Sequence, residues 1–354
     1  MATPSKINHC CFNSQQDAFC VAAACGIRIF NTNPLVLLKA LENDVTGRAR
    51  IGTVLHRSNV FVFVGAGSST TYSNNTALVY DNKQKEIVFE VTVPGGPILN
   101  VLLSYSRLII IQKTKIHIFA FGNNCRLIRS EDIRANPTGL ASLSSNNDAF
   151  GQMLAYPGFK VGSVRIMDVT AVTEKESISP NSIDAHLSEV AELAVNNQGT
   201  LLATGSIKGT VIRVFDIRTR RCLLECRRGS DNCTLHCLQF SPCSSFLACS
   251  SDKGTIHIFA IRENDHAASK QGFLQQVGLV KGEKRSCAQI AIEPKVIGIG
   301  FLAATSSTMQ SIVAVCEDGT FHRFAFNTEG QTTRECYELL LQLAEEQLFW
   351  SKPL

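Results

Sequence analysis

Residues 209–216 read GTVIRVFD and residues 254–260 read GTIHIFA, in each case a glycine followed by a strand of alternating apolar residues. This pattern, opened by a glycine or a polar turn, begins at seven positions: Gly26, Thr76, Lys115, Gly162, Gly209, Gly254 and Gly319. Successive starts are 50, 39, 47, 47, 45 and 65 residues apart. A repeat of about 45 residues that holds several short strands is typical of β-propellers. We therefore predict an all-β, seven-bladed propeller over residues 1–345, followed by a C-terminal tail at 346–354.

The stretches around each repeat supply the other strands of a blade. In the fifth unit, VAELAVNN and LLATGS come before the recurring strand, and CLLECRRG comes after it. No strand ends in a Trp-Asp pair, and the only tryptophan is Trp350, so these are degenerate WD-type repeats. Two β-sandwiches are the alternative, but sandwiches do not repeat one motif seven times. Helical periodicity is rare before the C-terminal stretch ECYELLLQLAEEQLFW at 335–350.

The composition excludes a disordered chain. Apolar residues make up 45% of the 354 residues and charged residues only 18%, against about 25% charged residues in an average globular protein. The net charge of +4 comes without the basic stripe of a nucleic-acid-binding domain. We expect no nucleic-acid partner, and any anionic ligand must be bound by a local patch.

The fourteen cysteines give little support for a disulfide framework or a metal site. The chain does not open on a secretion signal, and it contains no Cys-x-x-Cys pair. Small buried thiols in a reducing cytosol account for most of these residues. No apolar run approaches a membrane span, which needs about eighteen residues. We expect a cytosolic protein without a metal or a cofactor.

The interval between the last two repeats locates an insertion. Its 65 residues exceed the usual interval of about 45, and the surplus lies near residues 262–286. Phe273, Leu274, Val277 and Val280 would share one face of a short helix, with lysine and arginine residues around them. Apolar anchors rimmed by basic residues favour insertion into an anionic membrane surface. The alternative, which these residues leave open, is a loop whose apolar side chains fold back on the blade.

Residues 225–229, Glu-Cys-Arg-Arg-Gly, contain the side chains best suited to bind an anionic ligand. Consecutive side chains on a strand point to opposite sides, so Arg227 and Arg228 should diverge toward two separate pockets. The planar guanidinium group of arginine binds phosphate oxygens with two parallel hydrogen bonds. Gly229 would let the chain turn away and leave room for a ligand.

Hydrogen-bond donors lie on both sides of this arginine pair in the sequence. Before it come His186, Ser206, Lys208, Thr210 and Arg213; after it come Ser250, Ser251, Lys253, Thr255 and His257. Hydroxyl and imidazole groups add directed hydrogen bonds to the charge of arginine, which suits a phosphorylated headgroup. The alternative from these residues alone is a solvated surface strand with histidines that pack in the core.

Together these motifs resemble the PROPPINs, propellers that bind polyphosphoinositides and are called WIPI proteins in animals. Their hallmark is Phe/Leu-Arg-Arg-Gly in the fifth blade; here Cys226 takes the apolar position and Arg227, Arg228 and Gly229 are intact. The resemblance covers roughly residues 7–340, through GIRIFNTNPL, HRSNVFVFVGAG, AYPGFKVGSVRIMDV, SIKGTVIRVFD, SSDKGTIHIF and VAVCEDGTFHRFAFNTEG. Among animal subgroups, the chain is most similar to the shorter WD-repeat 45 type.

The resemblance implies two sites for phosphatidylinositol 3-phosphate and phosphatidylinositol 3,5-bisphosphate. By motif position, Arg227 belongs with a fifth-blade group: His186, Ser206, Thr210 and Arg213. Arg228 belongs with a sixth-blade group: Ser251, Lys253, Thr255 and His257. The family also uses the long loop of the sixth blade to enter the bilayer, which favours the insertion interpretation of residues 262–286.

The resemblance further implies a role in autophagosome formation, with recruitment to preautophagosomal and endosomal membranes. Family members bind a lipid-transfer protein through loops of the first three blades. The stretch FNSQQDAF at 12–19 occupies the first of these loops, with Asn13 present and the acidic residue displaced to Asp17. We expect a monomer that makes these contacts through Asn13 and Asp17.

Two other classes of function are weighed against lipid binding. An enzyme is disfavoured because the chain has no Gly-x-Ser-x-Gly, His-Glu-x-x-His or Gly-Lys-Ser/Thr motif, and GAGSST at 65–70 lacks the lysine of a phosphate loop. A propeller that only binds proteins would need the arginine pair to face a partner's carboxylates. Lipid specificity separates this alternative from a phosphoinositide effector.

Overall fold

The structure is a computed structural model that describes residues 6–67, 71–145, 151–173, 181–261, 283–303 and 309–345. Within these residues the chain forms seven separate sheets of four antiparallel strands, one of which carries an added fifth strand. Each sheet is a blade, and the blades follow one another along the chain. The prediction of a seven-bladed β-propeller is confirmed.

The first four blades use the first half of the chain. Blade one contains β1 (Ile7–Phe12), β2 (Ala18–Ala23), β3 (Gly26–Asn31) and β4 (Val36–Leu41), and the short helix α1 (Asn43–Thr46) follows it. Blade two contains β5 (Ala49–Val54), β6 (Val60–Gly65), β7 (Thr76–Asp81) and β8 (Glu86–Thr92). Blade three contains β9 (Asn100–Leu103), β10 (Arg107–Ile111), β11 (Lys115–Ala120) and β12 (Arg126–Asp132). Blade four contains β13 (Ser142–Leu143), β14 (Met153–Pro157), β15 (Ser163–Asp168) and β16 (Asn181–Asp184).

The remaining three blades include the candidate site. Blade five contains β17 (Val190–Val195), β18 (Leu201–Ser206), β19 (Val211–Asp216) and β20 (Cys222–Arg227). Blade six contains β21 (Leu235–Phe240), β22 (Phe246–Ser251) and β23 (Thr255–Ala260); then come β24 (Glu283–Arg285), which joins blade five, and β25 (Ala288–Ala291), which completes blade six. Blade seven contains β26 (Val296–Leu302), β27 (Gln310–Cys316), β28 (Thr320–Phe326) and β29 (Thr332–Leu339), followed by a 3-10 turn at Leu340–Gln342.

The recurring motif is the third strand of every blade: β3, β7, β11, β15, β19, β23 and β28. This strand is covered by a neighbouring blade on both faces, so most of its side chains are apolar; β7, for example, is buried from Thr76 to Tyr80. The core therefore lies between blades. Leu202 and Phe215 pack between blades four and five, whereas Ile212 and Cys226 pack between blades five and six.

The ring closes by packing of the last blade on the first. The Ile7 N–H group donates to the Glu317 carbonyl at 2.9 Å, and the Phe19 and Phe321 rings stack with centroids 5.9 Å apart. Gln16 adds a polar link. Its side-chain amide donates to the Phe240 carbonyl of blade six at 2.7 Å and accepts the Phe301 N–H of blade seven at 2.5 Å.

The helical periodicity near the C-terminus does not produce a helix in the described residues. Residues Thr332–Leu339 instead form β29, the outer strand that blade seven requires. An ion pair of 3.1 Å between Arg323 and Glu335 and a ring contact between His322 and Tyr337 join β29 to β28. Cross-strand pairing outweighs the weak periodic signal here. The predicted tail at 346–354 lies outside the described residues.

All fourteen cysteines are free thiols. Within the described part of the chain, no cluster of three or more His, Cys, Asp or Glu residues is arranged to hold a metal ion. Neither does any helix of those residues have the length and apolar character needed to cross a membrane.

Candidate functional site

The two arginines at the end of β20 have different environments. The Arg227 side chain is 43% exposed, and its Nε lies 3.1 Å from Glu283 Oε1. Arg228 is buried, with 8% of the residue exposed, and its Nε donates to the Gly209 carbonyl at 3.0 Å. Cys226, just before Arg227, is fully buried on the side that faces blade six, so successive side chains alternate here as in a regular strand. The guanidinium groups therefore lie on opposite sides of the blade.

The Arg227 side of blade five carries a cluster of charged side chains of both signs. Arg213 pairs with Glu225 across β19 and β20, and their side chains form an ion pair of 3.0 Å. On β24, Glu283 is opposite Glu225 and Arg285 is opposite Arg227. Paired residues share a face, so all five side chains lie on the side of the sheet that faces blade four.

Members of the predicted fifth-blade group differ in their contacts. The Nε2 atom of His186 lies 3.0 Å from the Thr204 hydroxyl, and Thr204 pairs with Arg213 in the sheet. Burial and the neighbouring Arg213 lower the pKa of His186 to about 4, so the imidazole is neutral at pH 7. Ser206 is buried and its carbonyl accepts the Gly209 N–H at 2.8 Å. Thus His186, Ser206 and Arg213 lie on the blade-four side of the sheet.

Thr210 contributes to the site through its backbone carbonyl. Its carbonyl accepts the N–H groups of Arg228 at 2.9 Å and Gly229 at 3.3 Å, which fixes the chain as it leaves β20. A Cβ atom on Gly229 would meet no atom within 4 Å, so the space beside this glycine is open. In contrast, Gly209 has a φ of +66° and a Cβ there would lie 2.5 Å from the Cys233 carbonyl oxygen. The turn requires glycine at 209; nothing in the described residues requires it at 229.

Arg228 is held by carbonyl groups alone. Besides the Gly209 carbonyl, its guanidinium donates to the carbonyl of Asp231 in the following loop. Within the described residues, no carboxylate forms an ion pair with it. Buried charges in proteins are usually paired, because burial without a counter-charge is costly. Arg228 therefore supplies a buried positive charge that an anion would neutralise.

The predicted sixth-blade group lies on the Arg228 side. His257 pairs with Cys249, and both lie on the face of blade six that packs against blade five. Thr255 is two residues from His257, and Ser251 is at the end of the adjacent strand, so alternation places both on this face. Burial and then the charge of Arg228 lower the pKa of His257 to about 4. Lys253 is exposed in the intervening turn, where its N–H lies 3.4 Å from the Ser251 hydroxyl.

The residues predicted to bind a protein partner lie at the other end of the propeller. Asn13 is buried and donates to Asp17 Oδ1 at 2.7 Å within its own turn, so it stabilises the loop rather than presenting its side chain. Asp17 is half-exposed and forms an ion pair of 3.2 Å with Arg57. Nearby, Tyr105 is 65% exposed and stacks on His56 with ring centroids 4.3 Å apart.

Comparison with known proteins identifies the family. The model of the family described as PROPPIN matches residues 8–272. This chain belongs to the PROPPIN family. Members are autophagy-related propellers that bind phosphoinositides and act as lipid-binding and scaffold proteins rather than enzymes. The assignment confirms the predicted family and supports peripheral recruitment to membranes.

Individual relatives of this PROPPIN span most of its length. It is 37% identical over 359 residues to Ectopic P granules protein 6 of Caenorhabditis elegans, covering 99% of this chain and 91% of the relative. It is 36% identical over 252 residues to Autophagy-related protein 18 of Dictyostelium discoideum, covering 70% of this chain and 64% of the relative. The structure of Kluyveromyces lactis Hsv2 with its complete loop 6CD matches with a TM-score of 0.78 over 95% of this chain and 99% of that chain, at 22% identity. The latter similarity concerns the fold alone.

Sequence reasoning did not find every residue of the PROPPIN rim. Thr204, which contacts His186, could have been found from its position two residues before Ser206 on the same strand. No local signal assigns Glu283 or Arg285 to blade five, because their pairing with β20 bridges a long sequence separation. The proposed insertion residues Phe273, Leu274, Val277 and Val280 lie outside the described residues. The insertion was predicted to reach 286, whereas 283–285 is a strand.

Proposed function

We propose that this PROPPIN recognises phosphatidylinositol 3-phosphate and phosphatidylinositol 3,5-bisphosphate through two sites around Arg227, Arg228 and Gly229. One site lies between blades four and five and the other between blades five and six. Binding would recruit the protein to forming autophagosomes and thereby bring autophagy machinery there. The protein acts by assembling on a membrane, without chemical turnover.

The observation that carries the proposal is the buried and uncompensated charge of Arg228. Its two carbonyl partners satisfy hydrogen bonds but leave the positive charge without a counter-ion. Next to it, His257 is neutral at pH 7 and can donate one N–H group to an oxyanion. A phosphate group here would provide the missing charge and accept from both side chains.

The Arg227 site would work differently, because its guanidinium is half-exposed and already forms an ion pair with Glu283. His186, Ser206 and Arg213 supply donors on the same side of the blade. The open space beside Gly229 supports close approach of a ligand between the two sites. A phosphoinositide headgroup would bind here in a more solvated environment, where each contact contributes less free energy.

Two modest sites on one rigid rim bind a membrane more tightly than either alone. A single solvated headgroup contact in the micromolar range corresponds to about −8 kcal/mol. Linking two such sites can raise overall avidity by roughly 10²–10⁴-fold. Insertion of Phe273, Leu274, Val277 and Val280 would add apolar transfer energy. Stable residence then requires a membrane that displays the lipid at sufficient density.

Recruitment of a lipid-transfer partner is proposed for loops of the first three blades. These turns join first and second strands, whereas the residues of both arginine sites lie where second strands end, third strands begin and the fourth strand β20 ends. Because neighbouring strands run in opposite directions, the two surfaces are at opposite ends of the propeller. The side chains of Tyr105, Asp17 and Arg57 are at least partly exposed at this end. Asn13 is buried and would contribute by fixing Asp17 through its hydrogen bond. A partner could bind at this end while lipid occupies the other.

Lipid specificity of the parent protein tests the proposal. Four sets of vesicles would be made from phosphatidylcholine and phosphatidylserine. Each set would also contain one of four lipids: phosphatidylinositol, its 3-phosphate, its 4-phosphate or its 3,5-bisphosphate. The amount of phosphatidylserine would be adjusted so that all four sets have the same surface charge. We expect co-sedimentation with the 3-phosphate and the 3,5-bisphosphate only. Equal binding to all four would contradict phosphoinositide recognition and favour a protein-binding scaffold.

A further inference from the structure

The outer edge of blade five is covered by a strand that comes from elsewhere in the chain. Residues Glu283–Arg285 pair in parallel with β20, with Glu225, Cys226 and Arg227 opposite them. In the other six blades the fourth strand is the outermost one in the described residues. The added strand β24 therefore extends the sheet only where the arginine motif lies, and it brings three charged side chains to that motif.

Register places two arginines directly opposite each other. Arg227 on β20 is the partner of Arg285 on β24, and paired side chains lie on the same face. Like charges in this arrangement destabilise a sheet unless an anion lies between them. Arg285 is exposed and, within the described residues, has neither an ion pair nor a hydrogen bond through its side chain. The pair thus offers two guanidinium groups to one anion.

A carboxylate of the protein already occupies part of this arrangement. Glu283 Oε1 lies 3.1 Å from Arg227 Nε and so uses a donor that could otherwise bind a phosphate oxygen. Both side chains are about half-exposed, so the ion pair is weak and readily exchanged for a doubly charged phosphate. Glu283 is also opposite Glu225, a like-charge pairing that further favours its displacement.

We infer that β24 is part of the first headgroup site: Arg285 binds the phosphate together with Arg227, and Glu283 is an internal competitor that the phosphate displaces. This inference rests on the proposed function and adds a residue and a regulatory contact to it. Arg285 raises affinity for a phosphomonoester. Glu283 lowers affinity for weaker anions, because any ligand must replace a carboxylate that is already bound to Arg227.

Isothermal titration with a soluble dibutanoyl phosphatidylinositol 3-phosphate tests this, with inorganic phosphate as the second ligand. We expect Arg285→Gln to weaken lipid binding at the first site about ten-fold, as loss of a hydrogen bond to a charged group does. We expect Glu283→Gln to tighten it about two- to five-fold, the range of half-exposed ion pairs. Glu90→Gln and Arg126→Gln, on the outer strands of blades two and three, are matched controls that should leave binding unchanged.

The outcomes separate this inference from the function on which it rests. If the parent protein does not bind the lipid, or binds inorganic phosphate equally well, the proposed function fails. If the parent binds the lipid selectively but Glu283→Gln and Arg285→Gln bind like the parent, the inference alone is overturned. Thermal unfolding of each variant shows that the fold is retained. A tighter Glu283→Gln variant is a result that simple disruption of β24 cannot produce.

Discussion

The Arg228 guanidinium and the His257 imidazole are neighbours across the interface of blades five and six, although the residues belong to different sheets. Burial and the charge of Arg228 lower the pKa of His257 to about 4. Within the described residues, Arg228 has backbone carbonyls as partners and no carboxylate. A positive charge and a neutral donor thus lie together with no anion of the protein between them.

Single arginine variants should separate the two sites. Arg227→Gln should remove the first site and leave the second, while Arg228→Gln should do the reverse, because the guanidinium groups lie on opposite sides of β20. Titration with soluble dibutanoyl phosphatidylinositol 3-phosphate should give two equivalents for the parent and one for each variant. A stoichiometry of one in the parent would contradict the two-site account.

The stability of the protein should depend on pH through His257. Its folded-state pKa of about 4 lies below the ordinary value of 6.5, so the unfolded chain binds more protons between these two pH values. The free energy of unfolding should therefore fall as pH decreases from 6.5 toward 4, by up to about 3 kcal/mol from this residue. Urea unfolding at pH 7 and pH 4.5 should show a smaller decrease for His257→Gln. An identical decrease in both proteins would contradict the assignment.

Replacing Phe273 and Leu274 together with serine should weaken vesicle binding and leave soluble headgroup binding unchanged. Each large apolar side chain contributes about 1.5 kcal/mol or more when it leaves water, so the pair corresponds to roughly 100-fold in membrane affinity. Co-sedimentation measures the first quantity and calorimetry the second. Equal loss in both measurements would show that these residues do not act through the bilayer.

Gln16 should matter for stability and not for lipid binding. Replacing it with alanine leaves the buried Phe301 N–H group without its side-chain acceptor and removes the shorter of the two side-chain hydrogen bonds to the Phe240 carbonyl, which costs about 1–3 kcal/mol. Urea unfolding should show this loss, while headgroup affinity stays at the parent value. The exposed neighbour Gln15 provides a control, since Gln15→Ala should change neither. A Gln16→Ala protein as stable as the parent would contradict the closure described above.

The fold could be predicted because the repeat has a physical cause. Third strands are covered on both faces, so each has a mostly apolar sequence, and each follows a turn. The strands after Gly209 and Gly254 are examples. The C-terminal strand could not be predicted in the same way. Tyr337 and Leu340 follow a spacing that a helix shares, and only the need of β28 for an outer partner decides between the two.

The site was partly predictable for a similar reason. The period of two along a strand indicates that Arg227 and Arg228 diverge, and this needs no knowledge of the neighbouring blades. The burial of Asn13 depends on how its turn packs, and the pairing of Glu283 with Glu225 depends on where the chain returns after the insertion. Such long-range contacts leave no local pattern in the sequence.

The most direct test of the central claim is co-sedimentation of an Arg227→Gln, Arg228→Gln double variant with vesicles that carry phosphatidylinositol 3-phosphate. Arg218→Gln with Arg221→Gln is the matched control, since both are exposed arginines in the turn that precedes β20. We predict that the first variant loses binding while remaining folded, and that the control binds like the parent. Undiminished binding by the Arg227 and Arg228 variant would contradict the account.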